Sequence, residues 1–275
     1  MNIRRKENLS VAIPTYNSSK YIDKLLGSIL KNDHVKEVVL SDDNSDKVEK
    51  ESYLQCVDKF QKKYPEKKIK FFDNYERRGP FINKYNAVSN CTNDIVYQID
   101  SDNMPMINFN NFIGSDLIKS FNKNNIYLPS KIYQFYNMPT LSIPLSKIDN
   151  GTKYRIIFQD ENFEFDKNII KKSILDGIKI TKEKNVRWLI NIGNFIVDRN
   201  SFVSAMSEGF SYPEKLLFAA DQFLISYLWL KNKNNLEVRK KHYHFHRKRQ
   251  DSVSFEEKDN TGESFKIIED KILDL

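Results

Sequence analysis

Short apolar runs alternate with amphipathic helical segments through the first hundred residues, and this alternation restricts the fold more than any other feature of the chain. The β-prone runs are Leu9–Pro14, Val35–Ser41, Ile69–Asn74 and Asp94–Asp100. Strand–helix units that recur every 25 to 35 residues or so are typical of right-handed β-α-β crossovers. The sequence therefore predicts an α/β fold, with helices on both faces of a mostly parallel sheet.

The later part of the chain is less regular. Beyond Asp102 it mixes short strands, a Pro-punctuated loop at 137–149, a strongly apolar helix around "LLFAADQFLISYLWL", and a short terminal helix at 263–275. No linker separates the two parts. We therefore expect a single domain over the whole chain, with a nucleotide-binding half at about 9–105 and a smaller mixed half at about 106–275 that shapes a second pocket.

Composition excludes several classes of protein. The hydrophobic share of 40%, with 19 Phe and 14 Tyr, is enough to build a core. No apolar run is long enough to span a bilayer, and the first ten residues lack the apolar region of a signal peptide. Cys56 and Cys91 show no metal-binding spacing. Two cysteines in a chain of this size suit a reducing compartment, which predicts a cytoplasmic protein.

Positive charge points to a phosphate-bearing partner. The net charge is +7, and the basic residues are densest at Arg239–Gln250. Such a stretch suits a phosphorylated small molecule or peripheral contact with an anionic membrane, and it also fits a solvated surface. The basic residues are not interleaved with an RNA-binding motif, so nucleic acid is not an expected partner. A Gly-rich phosphate loop is absent, since no Walker-type or GxGxxG pattern occurs.

Polar groups follow each of the four predicted strands. In sequence order they are an aromatic turn at Pro14–Asn17, an acidic turn at Ser41–Asp46, a basic loop at Asn74–Asn86 and a carboxylate pair at Asp100–Asn103. Each of these four segments, taken alone, has a composition that is common in turns and helix caps. Ligands of open α/β sheets bind at the carboxyl ends of the strands, so the succession favours one ligand site.

The chemistry of these groups suits a nucleoside diphosphate. Tyr16 offers a flat face for a base, and Asp42 and Asp43 can accept hydrogen bonds from a base or a ribose. Asp100 and Asp102 are hard oxygen ligands, suited to Mg²⁺ or Mn²⁺ that bridges a diphosphate. Cations for the phosphates are available on the basic loop, namely Arg77, Arg78 and Lys84.

Three segments carry a resemblance to a known family: "SVAIPTYNSSKYIDKLLGSIL", "VVLSDDNSD" and "QIDSDN". Together, over about residues 9–105, they resemble the family 2 inverting nucleotide-sugar glycosyltransferases, which have the GT-A fold. Asn44 stands where the family usually has glycine, and Asn also adopts left-handed turn geometry. The third loop departs more, with "FINKYNAV" in place of an Ala-Arg-Asn run.

The resemblance implies an activity and site residues. A sugar would pass from a nucleoside diphosphate, UDP first of all, to a hydroxyl of a glycan or glycolipid, as in surface polysaccharide assembly. A bound Mn²⁺ or Mg²⁺ would stabilise the leaving diphosphate. Asp102 would bind the metal directly, and Asp100 would hold the ribose or a metal-bound water. The other donor-site positions are Pro14 and Tyr16 against the base, Asp43 with Asp42 behind it at the nucleoside, and Ser101, Arg78 and Lys84.

An inverting transfer also needs a general base, which contributes roughly 10² to 10⁴ in rate. In the family it is a carboxylate at the start of a later helix, often written Glu-Asp. Asp221 is the candidate here, although Ala220 precedes it. A carboxylate at this point can equally be a helix cap. The rival bases are Asp198, Glu208 and Glu214.

Three alternating histidines mark the basic stretch. In a strand, His242, His244 and His246 would share one face, where they could bind zinc or simply pack. The resemblance implies a different role, in which His246, with Arg247 or Arg249, meets the metal or the phosphates. A solvated basic turn is the alternative.

Other classes of function stay open at this point. Trp188 and Phe195 could line an acceptor pocket or belong to the core. A sugar-phosphate nucleotidyltransferase should carry a Gly-rich loop with Lys or Arg after its first strand, and "IPTYNSS" has none. A non-catalytic nucleotide- or glycan-binding module would show the same strand ends without the base.

Overall fold

The structure is a computed structural model. It describes residues 8–105, 113, 117–135, 162–175, 190, 193–247 and 258–275. The expectations for the loop at 137–149, for Trp188 and for Arg249 lie outside these residues, as does the side chain of His244.

The first half alternates strand and helix, as the sequence predicts. The elements are β1 (Leu9–Thr15), α1 (Ser19–Ile29), β2 (Val35–Asp42), α2 (Lys47–Lys63), β3 (Lys68–Asp73), α3 (Pro80–Ser89) and β4 (Ile95–Gln98). Ile22, Leu25, Leu26 and Ile29 recur every three or four residues in α1 and are buried there. This apolar stripe is what holds the helix against the sheet.

The second half is mixed. Its elements are β5 (Met104–Pro105), β6 (Asn125–Phe135), β7 (Phe163–Phe165), α4 (Lys167–Leu175), β8 (Phe195–Asp198), α5 (Arg199–Met206), α6 (Glu214–Ala219), α7 (Asp221–Lys231), β9 (Asn235–Arg247) and α8 (Lys258–Leu273). The apolar segment expected as one helix is two, since Ala220 has a non-helical φ of −133° and α7 begins at the next residue. The terminal helix begins at Lys258, earlier than predicted.

All these strands belong to one sheet, in the order β3-β2-β1-β4-β8-β6-β9-β5, with β7 beside β9. The first four are parallel, and β8 is antiparallel to β4. The predicted α/β fold with a mostly parallel front half is therefore confirmed. Chain order reverses between β1 and β4, which is where open α/β sheets form a crevice at the carboxyl ends of the strands.

Two apolar layers cover the sheet. Alternating residues of β1 divide between them, because successive side chains point to opposite faces: Val11 and Ile13 pack with α1 and α2, whereas Ala12 packs with α3, α5 and α7. Among the residues that the structure describes, Trp229 of α7 is the largest fully buried side chain. Within the described part of the chain, none of the helices combines the length and the apolar character that crossing a bilayer requires.

Candidate active site

The end of β1 holds three strand-end loops together through Thr15. Its carbonyl oxygen accepts from the backbone N–H of Asp43 at 2.9 Å and from the side-chain amide of Asn83 at 3.0 Å. Its hydroxyl donates to Asp42 at 3.1 Å. These bonds join the aromatic turn, the acidic turn and the helix that follows the basic loop. The loops after β1, β2 and β3 therefore meet at one edge of the sheet.

Hydroxyl groups join the turn after β4 to the same edge. The Ser18 hydroxyl donates to that of Ser101 at 2.8 Å, and the backbone N–H of Ser18 donates to the Tyr53 hydroxyl at 2.8 Å. Ser18 is the N-cap residue of α1, and its side chain makes no capping bond. Glu49 instead accepts from the N–H of Ser19 at 2.7 Å. All four strand-end loops are thus hydrogen-bonded neighbours.

Asp42 builds the acidic turn from inside. Its carboxylate accepts from the backbone N–H of Ser45 at 2.8 Å and from the Ser45 hydroxyl at 2.5 Å. Asn44 has φ 61°, so the expected left-handed geometry is confirmed. Burial raises the pKa of Asp42, and the hydrogen bonds from Ser45 offset only part of that. Since Asp42 has no exposed surface, it supports the turn from behind rather than touching a ligand.

Asp43 fastens the basic loop to the acidic turn. Its two carboxylate oxygens accept from the backbone N–H groups of Arg78 at 2.8 Å and Gly79 at 2.9 Å. Burial raises the pKa of this carboxyl, against the effect of those two bonds. Arg78 therefore contributes its backbone, while its exposed side chain lies 3.4 Å from Glu76. A base that hydrogen-bonds to Asp43 must share its oxygens with this loop.

Tyr16 already has a cation on one face. The guanidinium of Arg77 lies 4.2 Å from the centre of the Tyr16 ring and 5.4 Å from that of Phe218. Tyr16 and Pro14 are partly exposed at the end of β1, as a base-stacking pair requires. Arg77 over Tyr16 is a cation–π contact, which a planar base could replace or extend. The sequence showed no sign of the contribution from Phe218.

Lys84 connects the carboxylate motif to the start of α7. Its side chain is only 4% exposed, and its ammonium lies 2.6 Å from Asp221 and 3.4 Å from Asp100. Burial works to lower the pKa of Lys84, but the two carboxylates outweigh it and raise the pKa, so the ammonium is charged. The two carboxylate oxygens that share it are at most 6.0 Å apart.

The expected role of Lys84 as a diphosphate-binding cation does not match this position. α3 directs the side chain inward, and its ammonium is enclosed between two carboxylates. The cations that do stand exposed on the basic loop are Arg77 and Arg78.

Four residues beside Asp100 were not anticipated. Its carboxylate accepts from the Gln98 amide at 3.2 Å, and its backbone N–H donates to Asn194 at 2.8 Å. A Cβ on Gly193 would lie 2.5 Å from a carboxylate oxygen of Asp100 and 2.8 Å from the amide nitrogen of Gln222. A larger residue here would require the side chains of Asp100 and Gln222 to shift. A glycine within "NIGNF", in a chain with only eight, was the available signal.

The end of β9 packs against the carboxylate motif. The Arg247 side chain donates to the carbonyl oxygen of Asp102 at 3.4 Å, and its backbone N–H donates to the Asn103 side chain at 3.1 Å. The same guanidinium lies 4.4 Å from the Tyr21 ring. His246 precedes it and is partly exposed. Arg247 therefore lies beside the carboxylate motif, and its contact with a metal or with phosphates stays a prediction.

The rival base candidates have other roles. Asp198 caps α5 by accepting a backbone N–H at 2.8 Å. Glu208 is bound to Lys231 at 2.5 Å, and Glu214 is an exposed residue in the first turn of α6. Asp221, the first residue of α7, is the one of the four that is joined to Asp100 through a common partner.

The alternating histidines are not equivalent. His242 is buried, with its ring 5.9 Å from that of Tyr97, and burial lowers its pKa to about 3. Phe195 is likewise a core residue, packed against Phe202. In the described part of the chain, no three His, Cys, Asp or Glu side chains converge as a ready-made metal site. Asp100, Asp102 and His246 therefore do not form a complete ligand set by themselves.

Comparison with known proteins shows one family model that matches part of the chain. Residues 10–110 match the family model described as glycosyl transferase family 2. This segment contains β1 to β4 and all four strand-end loops. No curated protein matches the sequence significantly.

Solved structures share the fold across nearly the whole chain. TarS residues 1–349 of S. aureus in complex with UDP-GlcNAc is 21% identical, with a TM-score of 0.63, over 97% of this chain and 66% of that one. GalNAc-T7 with UDP, GalNAc and Mn²⁺ is 17% identical, with a TM-score of 0.57, over 89% and 44%.

A third structure is the mannosyltransferase PcManGT of Pyrobaculum calidifontis with GDP-Man and Mn²⁺, 13% identical, with a TM-score of 0.53, over 90% and 58%. The chain thus spans less than two thirds of each of these structures. The chain thus has the GT-A fold, and its residues 10–110 resemble glycosyl transferase family 2.

Proposed function

We propose that this chain transfers a sugar from a nucleoside diphosphate sugar to a hydroxyl of a glycan or glycolipid, with inversion at the anomeric carbon. UDP is the nucleotide that we expect in the donor. The observation that carries the proposal is the convergence of four strand-end loops on one edge, with oxygens of Asp100 and Asp221 at most 6.0 Å apart. Two of the similar structures, TarS and GalNAc-T7, hold UDP-GlcNAc and UDP. Residues of about 9–105 form the donor half, and those of about 106–275 the acceptor half.

The nucleoside would lie against the ends of β1 and β2. Pro14 and Tyr16 present partly exposed surfaces there, and Asp43 lies at the adjacent turn. Arg77, held over Tyr16 at 4.2 Å, places positive charge where a base and its phosphates would meet. Asp42 and Ser101 support these groups from buried positions, so their contribution is to hold the turns in place.

The carboxylates beside this nucleoside site suit a divalent cation. Asp102 is partly exposed and Asp100 has 24% of its side chain exposed. Mg²⁺ and related ions are commonly held by one or two carboxylates together with substrate phosphates, so a complete protein cage is not required. Asp102 and Asp100 would hold the ion, with His246 and Arg247 at the neighbouring strand end. When bound, the ion supplies Lewis-acid stabilisation of the diphosphate leaving group.

Asp221 would act as the base. It takes the proton of the acceptor hydroxyl while that oxygen forms its bond to the anomeric carbon. The bond from that carbon to the diphosphate breaks on the opposite face, so the configuration inverts. The side chain of Asp221 is 14% exposed, which leaves a path for an acceptor hydroxyl to reach it.

Donor hydrolysis tests the proposal. The protein is incubated with a panel of nucleotide sugars (UDP-GlcNAc, UDP-GalNAc, UDP-glucose, GDP-mannose) and Mn²⁺, and released nucleotide is measured. We expect turnover of a UDP-sugar that EDTA removes and that Asp102→Ala abolishes. UDP binding without turnover of any donor, with or without added glycan acceptors, would instead indicate a binding module. Release of pyrophosphate from a nucleoside triphosphate and a sugar phosphate would indicate a nucleotidyltransferase.

A further inference from the structure

Two lysine side chains are buried within the described part of the chain, and their surroundings differ. The ammonium of Lys67 donates to the backbone carbonyl oxygens of Leu30 and Asn32, the latter at 2.8 Å. Burial lowers its pKa. The ammonium of Lys84 instead lies between two carboxylates that come from β4 and α7, far apart in the chain. Lys67 closes the end of a helix, whereas Lys84 joins two parts of the active site.

The backbone that carries Lys84 is anchored on both sides. The preceding residue, Asn83, donates its side-chain amide to Thr15 at 3.0 Å. The loop that leads into α3 is held by two N–H bonds to Asp43. Because these bonds fix the backbone on both sides of Lys84, its side chain has little freedom to follow a moving ligand. Its shorter contact, 2.6 Å, is to Asp221.

The partner carboxylates need such a cation. Asp221 and Asp100 have oxygens at most 6.0 Å apart, and two negative charges at that separation repel each other. Asp221 is the first residue of α7, where an unrestrained carboxylate can turn to the free N–H groups of the helix. Either movement would take the base away from the acceptor hydroxyl.

We propose that Lys84 is a positioning residue for Asp221: its enclosed ammonium holds this carboxylate beside Asp100, and it makes no contact with the donor. The inference rests on the proposed function and adds a residue to it. The ammonium is nearer to Asp221, at 2.6 Å, than to Asp100, at 3.4 Å, so its removal should lower kcat far more than it weakens donor binding.

A double-mutant cycle tests this. Steady-state rates with the donor that the wild type consumes, and the Kd of UDP with Mn²⁺ by calorimetry, are measured for Lys84→Met, Asp221→Asn and the double variant. We expect Lys84→Met to lower kcat about 10²-fold, as misplacement of a reacting group does. The Kd of UDP should stay within about twofold, and the double variant should be no slower than Asp221→Asn within the same factor. Lys84→Arg should recover part of the lost kcat.

Lys67→Met is the matched control, since it also removes a buried ammonium. It should lower thermal stability and leave kcat per folded molecule unchanged. If Lys84→Met does not fold, Lys84→Gln replaces it, because its amide can still donate to one carboxylate and so support folding. It should likewise lower kcat and leave the Kd of UDP within about twofold.

Two results would overturn the inference: multiplied effects of Lys84 and Asp221 in the double variant, or a UDP Kd weakened in proportion to the loss of rate. The first would show that Lys84 acts independently of Asp221, the second would make it a donor-binding cation, and both would leave the proposed function standing. A wild type that neither binds UDP nor consumes any donor would overturn the proposed function itself, and this inference with it.

Discussion

The parallel strands bury carboxylates at their amino ends, here called the amino edge, and at their carboxyl ends, called the carboxyl edge. The pKa values of these carboxyl groups shift in opposite directions at the two edges. At the amino edge Glu37 is 1% exposed and accepts from the Ser10 hydroxyl at 2.6 Å, the Thr92 N–H at 2.6 Å and the Lys70 ammonium at 2.7 Å. Burial works to raise its pKa, but these partners outweigh it, and the pKa of Glu37 is lowered. The amino edge therefore stabilises the charged carboxylate.

At the carboxyl edge the balance is reversed. Asp42 and Asp43 are as deeply buried, yet their partners are hydroxyls and backbone N–H groups, and burial keeps the pKa of each raised. Carboxylates whose charge is poorly compensated are typical of sites that acquire their partners with a ligand. We therefore expect the amino edge to contribute to stability and the carboxyl edge, where Asp43 lies at the proposed nucleoside site, to contribute to binding. Four predictions test this contrast.

The largest expected effect is on catalysis at the carboxyl edge. Asp221→Asn should lower kcat by about 10² to 10⁴, because the amide cannot take the acceptor proton. The unfolding free energy should fall as well, because the buried Lys84 loses its nearer carboxylate partner, so kcat is expressed per folded molecule. Rates and urea midpoints of the purified variant decide this.

Asp198→Asn is the control for that prediction, since Asp198 was a rival base and caps α5. It should cost no more than about 1 kcal/mol of unfolding free energy, with kcat unchanged. An equal loss of kcat in both variants would contradict the assignment of the base to Asp221.

The amino edge should show the opposite behaviour. Glu37→Gln removes the partner of Lys70 and weakens the bonds that join β1, β2 and the turn before β4. We expect a loss of about 3 kcal/mol of unfolding free energy, the lower end of the range for a broken buried pair, since Lys70 is partly exposed. Urea unfolding measures it, and kcat per folded molecule should equal that of the wild type. A fall in kcat without a change in stability would show that the two edges do not divide their roles in this way.

The contrast also shows what the sequence could and could not predict. Strand ends follow from local patterns, so β1 to β4 and the four polar turns were predictable, as was the left-handed Asn44. The bond from Lys84 to Asp221 joins residues 137 positions apart, and no local pattern contains that contact. For the same reason the sequence analysis grouped Lys84 with Arg77 and Arg78 as a cation for the phosphates. Glu37 passed unnoticed because it lies inside a strand, where a carboxylate gives no motif.

A smaller effect is expected at the loop that Asp43 holds. Gly79 has φ 90°, and a Cβ there would lie 2.7 Å from the Phe218 ring. Gly79→Ala should cost about 1 to 3 kcal/mol of unfolding free energy through backbone strain. It should also weaken UDP binding, because the loop carries Arg77 and Arg78. Calorimetry with UDP and Mn²⁺, beside urea unfolding, measures both effects.

Gly262→Ala supplies the comparison, because it lies in α8 with no atom within 4 Å of the added Cβ. It should stabilise the protein by up to about 1 kcal/mol and leave UDP binding unchanged. If Gly79→Ala bound UDP as tightly as Gly262→Ala does, the basic loop would have no part in the donor site.

The smallest expected effect is on the pH dependence of stability, and it separates the two edges by sign. The pKa of Glu37 is lowered from 4.5, so its stabilisation is present above pH 4.5 and is lost as pH falls through the folded-state value. The pKa of Asp43 is raised from 3.8, so its contribution to stability is greatest below pH 3.8 and is lost as pH rises through its folded-state value.

Glu37→Gln should therefore flatten the acid-side decline of the melting temperature, whereas Asp43→Asn should make that decline steeper. Melting curves between about pH 3 and 7 measure both, at roughly 1.4 kcal/mol for each pH unit by which a pKa is shifted. If the curves of both variants run parallel to that of the wild type, both edges compensate the charge of their carboxylates equally. The electrostatic argument that binding occurs at the carboxyl edge would then be contradicted.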